Sequence, residues 1–473
     1  MRETQKAILT FPTRGITVMS SRMGQPEGTC INAINVRPFD APEERLRGGS
    51  RPGLTKYCPT QMEGGSRIQN INYSVDVEDL SPNSGFLFRR TIIAGAVCNG
   101  TVYKINTTAA TAANTTGTQS LNGSAPVIYS TELLGDIYYT DGKTYKVWDP
   151  ATNQTSDWTP TAGSLPGDVG NTSAKLITMW RSRIVLSGLQ SDPHNWFMSK
   201  VGDPNDWDYS PNTVTATQAI QGGIGFTGKF GDKVTALIPY SDDVLLVGCD
   251  HTIWQIAGDP QAGSGSIDLV TSQMGMAWGE AWCMSPEAEV FFMSNHGDIY
   301  KIVPGSGPQS ISGAAIDPEL GSINMNTNTV KLLWDGERDG MHVFITPLTA
   351  GTTTHWYWDA RSTSWWQDQY ANTNFNPVTA ISFDGDLPRD RTVLIGSEDG
   401  YIRNVNTSAY QDDGEVFTSH VTLGPLTTQG GYMPLLLQEL QAILDLNSSS
   451  VKFEVLSGDT PEEALRSEAN TFT

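Results

Sequence analysis

The sequence predicts a mainly β fold, on three observations: a hairpin phrase that recurs along the chain, a composition suited to short strands and turns, and a regular interval between the copies. The clearest pair lies between Asp243 and Ile302. Val244-Leu245-Leu246-Val247-Gly248 enters the tetrad Cys249-Asp250-His251-Thr252 and leaves as Ile253-Trp254-Gln255-Ile256. About 47 residues later, Val290-Phe291-Phe292-Met293-Ser294 enters Asn295-His296-Gly297-Asp298 and leaves as Ile299-Tyr300-Lys301-Ile302. An apolar run, a polar tetrad with Asp, Asn or Gly, and a second run with an aromatic at a fixed place is the pattern of a β-hairpin packed between layers. Three further copies turn at Asn99-Gly100, Asp141-Gly142 and Asp399-Gly400, and looser ones span Arg183 to Ser199 and Met341 to Trp358. Seven hairpins at intervals of roughly 40 to 55 residues are what four-stranded blades around an axis require. The expected architecture is a β-propeller of about six or seven blades, with an N-terminal arm and a small C-terminal β-domain.

Composition agrees. The 473 residues are enough for a large core, and 47 glycines with 26 prolines, none periodic, favour many short strands joined by turns. Thirty basic against fifty-one acidic residues give a net charge of −21, which excludes clamping of phosphates by an overall positive surface. Plain solubility accounts for such a charge, and so does a wall that DNA must pass without sticking. Five scattered cysteines without a C-x-x-C pair point to reduced thiols in a cytosolic assembly environment. Ala7-Ile8-Leu9 is too short for a signal-peptide core, and no run reaches membrane-spanning length.

Taken in order, residues 1–60 read as an arm and interface segment with short extended pieces, 61–415 as the propeller, and 416–473 as the β-domain. Within the arm, Arg45, Arg47 and Arg51 make a cationic island in an acidic chain. It is either a solvated loop or a contact with a neighbouring acidic subunit, where opposite charges set register. Thr107 to Ser124 has almost nothing to bury and reads as an exposed loop. Trp196 and Trp207 each follow an Asp-Pro turn, and the pairs Trp356/Trp358 and Trp365/Trp366 bracket another hairpin. Packing between blades is their expected use, stacking on sugar rings the rival one. Beyond residue 415, Val416 to Leu423 and Val451 to Val455 read as strands, Leu435 to Leu446 is ambiguous, and Thr460-Pro461-Glu462-Glu463 carries the signs of a helix start. The sequence stops soon after, as though cut short or completed by a neighbour.

No catalytic constellation is visible. There is no H-E-x-x-H, G-x-S-x-G, P-loop, dinucleotide fingerprint or EF-hand loop, and no Ser-x-Asp-x-Gly-x-x-Trp repeat. His251 and His296 recur in equivalent turns, where a ring of imidazoles is conceivable, but no carboxylate is patterned to orient them. The expectation is a non-enzyme with no catalytic residue, cofactor or metal, whose turn residues Asn99, Gly100, Asp141, Gly142, Asp250, His251, His296, Gly297, Asp399 and Gly400 serve the fold.

The order of phrases carries a resemblance. Asn35-Val36-Arg37-Pro38, then Leu46-Arg47-Gly48-Gly49-Ser50-Arg51-Pro52-Gly53-Leu54, the Val244 hairpin, Met274-Gly275-Met276-Ala277-Trp278-Gly279, the Asn295 turn and the Tyr357-Trp358-Asp359 hairpin together resemble the tail hub or nozzle proteins of short-tailed bacteriophages, a family that includes packaged-DNA stabilisation proteins. The resemblance spans most of the chain. It implies a propeller subunit assembled in the host cytoplasm, six copies forming a ring below the portal and adaptor of the virion, with DNA passing through the lumen without specific binding. It carries over no catalytic residue. The alternative is a carbohydrate- or receptor-binding propeller on a virion surface or tail fibre, using Trp-rich hairpins as its face.

Overall fold

A computed structural model describes residues 8–472 apart from 42, 80–87, 108, 119, 169–171, 224–227, 262–264, 350, 352, 386–389, 427–436, 438, 442–450 and 468. It is a seven-bladed β-propeller. Each of the seven predicted hairpins forms the second and third strands of one blade. Blade 1 is Ile68–Asp79, Phe88–Cys98, Thr101–Asn106 and Thr111–Asn114. Blade 2 is Tyr129–Leu133, Asp136–Thr140, Tyr145–Asp149 and Gln154–Asp157. Blade 3 is Leu176–Trp180, Arg183–Ser187, Trp196–Met198 and Ile220–Gln221. Blade 4 is Val234–Ser241, Val244–Cys249, Ile253–Ala257 and Ser266–Thr271. Blade 5 is Trp282–Met284, Val290–Met293, Ile299–Ile302 and Gln309–Ser310. Blade 6 is Asn328–Asp335, Gly340–Pro347, His355–Asp359 and Ser364–Asp368. Blade 7 takes three strands from the far end of the ring, Thr379–Asp384, Arg391–Gly396 and Ile402–Asn406, and its fourth, Gly53–Cys58, from the N-terminal region.

The core follows the blades. Seven buried apolar clusters lie one between each pair of neighbours, for example Ile93, Val97, Ile137 and Trp148 between blades 1 and 2, and Ile68, Ile92, Leu394 and Ile402 between blades 7 and 1. Because both faces of a middle strand are covered, such strands read as continuous apolar runs instead of alternating ones. Val290–Met293 is buried at all four positions and Arg183–Ser187 at all five. The tryptophans serve this packing: Trp196, Trp207, Trp356, Trp365 and Trp366 are all buried. The Trp-rich hairpins are therefore not an exposed binding face.

Sheets cross the expected boundary near residue 60. Asn32–Ile34 runs parallel to the outer strand of blade 6 and antiparallel to His420–Thr422, making a six-stranded sheet, while Gly53–Cys58 completes blade 7. The supposed arm is woven into the ring because each outer edge offers unpaired N–H and C=O groups that an extended segment can satisfy. The Thr107–Ser124 loop likewise supplies Thr111–Asn114 to blade 1, and Thr116–Gly117 pairs with the outer strand of blade 2. Backbone pairing of that kind needs no apolar side chain. After residue 415 the described pieces are His420–Thr422, a hairpin of Phe453–Val455 with Asn470–Phe472, and the helix Pro461–Ala464, whose N-cap Thr460 Oγ1 accepts from Glu463 N at 3.1 Å. The last strand thus pairs within the chain. Most of Leu435 to Leu446 lies outside the described residues.

Candidate functional site

Two places concentrate polar chemistry: the closure of the ring and its axis. At the closure, Arg51 is 3% exposed and uses all five N–H donors. Nε donates to Asn35 Oδ1 at 2.9 Å, Nη1 to Asp412 Oδ1 and Pro52 O at 2.9 and 2.8 Å, and Nη2 to Asp412 Oδ2 and Gln369 O at 2.6 and 3.0 Å. The guanidinium also lies 4.0 Å from the Phe417 ring centre. Nearby, Arg37 grips Asp368 through both terminal nitrogens at 2.7 and 2.6 Å and sits 4.0 Å over Tyr357. Arg403 holds Asp399 at 2.8 and 2.7 Å. Burial works against the ionised carboxylate of Asp368, but the Arg37 charge and hydrogen bonds outweigh it and hold the group below its usual range.

This corrects the expectation for the cationic island. Arg51 belongs to the interior, and the island is neutralised in space: Arg47 bridges Asp40 and Glu43 at 2.9 Å, and Arg45 meets Glu43 at 3.1 Å. Sequence distance hid the partner of Arg51, since Asp412 is 361 positions away, whereas the partners of Arg45 and Arg47 lie in the same stretch of chain.

The predicted turn residues occupy the turns between second and third strands, and several stitch neighbouring loops together. Asn99 and Gly100 both have positive φ, 47° and 77°, as a two-residue hairpin turn requires. Asp141 accepts from the backbone N–H groups of Lys143 and Thr144 at 2.7 and 2.6 Å and from Asn122 N at 2.6 Å. Asp250 O accepts from Asn295 Nδ2 at 2.7 Å, joining the turns of blades 4 and 5. Gly297 has φ 101°, Gly400 has φ 77°, and Asp399 is the carboxylate held by Arg403. His251 and His296 are exposed in equivalent turns. Among the described residues no group of His, Cys, Asp or Glu is arranged to hold a metal ion.

The second place is the axis. First strands of most neighbouring blades stand side by side around it, and the link from blade 4 to blade 5, Gly275 to Ala281, runs across one end. Ala277 N–H donates to Met293 O in blade 5 at 2.9 Å, Gly279 N–H to Thr235 O in blade 4 at 2.8 Å, and Glu280 O accepts from Leu332 N in blade 6 at 3.2 Å. A Cβ on Gly279 would lie 2.0 Å from the Tyr129 hydroxyl of blade 2. A segment that touches blades 2 and 6 together must lie over the axis, since three blade steps separate them. Loss of water and the charge of Glu280 push the Tyr129 phenol pKa up, against a hydrogen bond with Trp278. Gly275 and Gly279 are the signal that could have found this plug: each is crowded so closely that only glycine fits.

Behind the plug lies a cup of about 690 Å³ lined by the first strands of blades 5, 6 and 7. The Glu280–Lys331 ion pair, the half-buried indoles of Trp282 and Trp334, and Ser285 and Ser382 line it. A mostly apolar concavity with a few polar groups is the usual form of a small-molecule site.

No protein-family model matches the chain, and no curated protein matches it. Among solved structures it is similar to the extracellular domain of a hybrid two-component system from B. thetaiotaomicron, at 15% identity and a TM-score of 0.48, covering 76% of this chain and 43% of that one. It is also similar to YCF48 from Cyanidioschyzon merolae, at 10% identity and 0.43, covering 75% and 98%, and to PorZ, a surface component of the type-IX secretion system of Porphyromonas gingivalis, at 12% and 0.40, covering 79% and 40%. The chain thus spans less than half the length of the first and third of these.

Proposed function

We propose that this chain is a structural virion protein, a tail hub or nozzle subunit of a short-tailed bacteriophage. Copies assemble into a ring around the DNA exit channel, against portal, adaptor and other tail proteins, and act there without chemistry. The observation that carries this is the closed propeller: its ends are clamped by buried Arg–carboxylate pairs and its axis is crossed at one end by Gly275 to Ala281. Such a body is a rigid building block, and a duplex would travel between copies, past surfaces whose net charge of −21 repels phosphate. No helix among the described residues is long and apolar enough to cross a membrane.

Native mass measurement of the purified chain, with imaging of a tail that carries it labelled, tests the proposal. Closed rings at the DNA exit are expected. A chain that stays monomeric at all concentrations, or that locates to a fibre tip, overturns it. The cup favours a second reading, a glycan-binding propeller. Binding on a glycan array that is lost in Trp334→Ala would establish that reading, and a blank array would end it.

A further inference from the structure

The outer strands of the seven blades are not equally protected. Those of blades 3 and 5 are two residues long, Ile220–Gln221 and Gln309–Ser310. Thr116–Gly117 covers that of blade 2, Asn32–Ile34 and His420–Thr422 cover that of blade 6, and a bridge from Leu54 to Asp412 caps that of blade 7. Blade 1 ends on the four residues Thr111–Asn114. Blade 4 ends on six, Ser266–Thr271, and among the described residues no strand pairs outside it. That edge holds no proline or lysine, has a single bulge at Val270 near its end and one charge, Asp268, and exposes Leu269 at 48%. Natural proteins blunt long apolar edges, so an open one marks a pairing site.

A second open strand lies elsewhere on the rim. Leu46–Ser50 pairs only with Val36–Phe39 among the described strands, in the hairpin that leads from the edge of blade 6 to that of blade 7, and Leu46 is 55% exposed. The two open strands therefore stand about two and a half blades apart, or roughly 130° around a seven-bladed ring. A head-to-tail contact between two patches closes into a ring when the angle fits, and six copies need about 120°.

We propose that Leu46–Ser50 of one copy adds to Ser266–Thr271 of the next copy as an antiparallel strand, which rests on the ring assembly proposed above. The register that sets Leu46 opposite Leu269 sets Arg47 opposite Asp268. It brings together the two exposed leucines and adds a cross-strand pair of opposite charge, and Arg47 can turn towards Asp268 by exchanging its exposed contact to Glu43 while keeping the half-buried one to Asp40.

The test introduces Arg47→Cys and Asp268→Cys together. The five native cysteines are buried and unpaired, and burial pushes the thiols of Cys30, Cys98 and Cys249 up to about 12, so the background is quiet. Under mild oxidation, a ladder of disulfide-linked chains on a non-reducing gel is expected, along with discrete rings in native mass spectrometry. Leu269→Asp is expected to reduce the assembly to single chains while the circular dichroism stays that of the wild type. Rings without cross-links, or rings that survive Leu269→Asp, overturn the strand pairing and leave the nozzle proposal standing. Cross-linked open chains that never close support the pairing and count against the nozzle, and a monomer without cross-links overturns both.

Discussion

Arg51 has no water to fall back on, because all five of its donors are spent on protein groups. Removing one partner of such a pair leaves a buried charge uncompensated, which costs about 3–5 kcal/mol. Arg51→Met should therefore lower the chemical-denaturation midpoint sharply, whereas Arg45→Ala, at a side chain exposed to solvent, should change stability by less than about 0.5 kcal/mol. Equal effects would contradict the assignment of Arg51 to the interior. His355 sets a second expectation. Its Nδ1 accepts from Ile345 N at 3.0 Å and its Nε2 faces Asn376 Oδ1 at 3.2 Å, so both nitrogens are used by the neutral ring and an added proton would point at an N–H group. Burial lowers its pKa to about 4, with the Asn376 hydrogen bond opposing. The unfolded chain, titrating near 6.5, then binds more protons, so stability is lost as pH falls from about 6.5 towards 4. Asp335 adds to the loss below about 4, since hydrogen bonds and charge from His342 and Arg338 overcome its burial and hold it ionised in the folded state. Thermal melts of wild type and His355→Gln across that range should diverge at neutral pH and converge near pH 4.

The turns allow a comparison between strain and crowding. Gly135 and Gly100 both have positive φ, at 92° and 77°, but a Cβ on Gly135 meets nothing within 4 Å while one on Gly100 lies 2.4 Å from Leu121 O. Gly135→Ala should cost about 1 kcal/mol, the strain of the left-handed backbone alone, and Gly100→Ala about 3 kcal/mol, because the hairpin must also shift away from its neighbour. Urea denaturation of the two variants checks the order. At this scale much was legible in the chain. The hairpin phrases are local: an apolar run covered on both faces and a turn demanding positive φ leave their marks within a dozen residues. What joins Gly53–Cys58 to Ile402–Asn406, or Arg51 to Asp412, leaves no such mark. A strand pairs through its backbone, which any sequence carries, and a charged residue reads as exposed until its partner is known. The plug was hidden for the same reason: Trp278 looks like any loop aromatic, and only the fold brings Tyr129, Thr235 and Leu332 around it.

A linear array of repeats has two free ends and unfolds from them, each unit leaning only on its neighbours. This ring has no end as long as Gly53–Cys58 completes blade 7 and the Arg51–Asp412 pair secures it. Every interblade cluster then has a blade on each side, including the one between blades 7 and 1 that contains Cys58 and Ile68. Opening the ring would expose two blade faces and turn a closed structure into an array able to fray. The variant that tests this carries Arg51→Met together with Thr55→Pro. Leu54 turns its N–H and C=O outward to Gln411 and Asp413, so Thr55 turns its own towards Asn404 across the sheet, and proline there removes a backbone donor from the closing ladder without deleting buried apolar surface. In the wild type, tryptophan fluorescence and far-ultraviolet circular dichroism should trace one coincident unfolding transition of the propeller. In the opened variant the two probes should separate, and hydrogen exchange should show blades 7 and 1 opening before blades 3 and 4. Uniform destabilisation with coincident probes would mean that the closure contributes only its local contacts and the propeller holds together blade by blade.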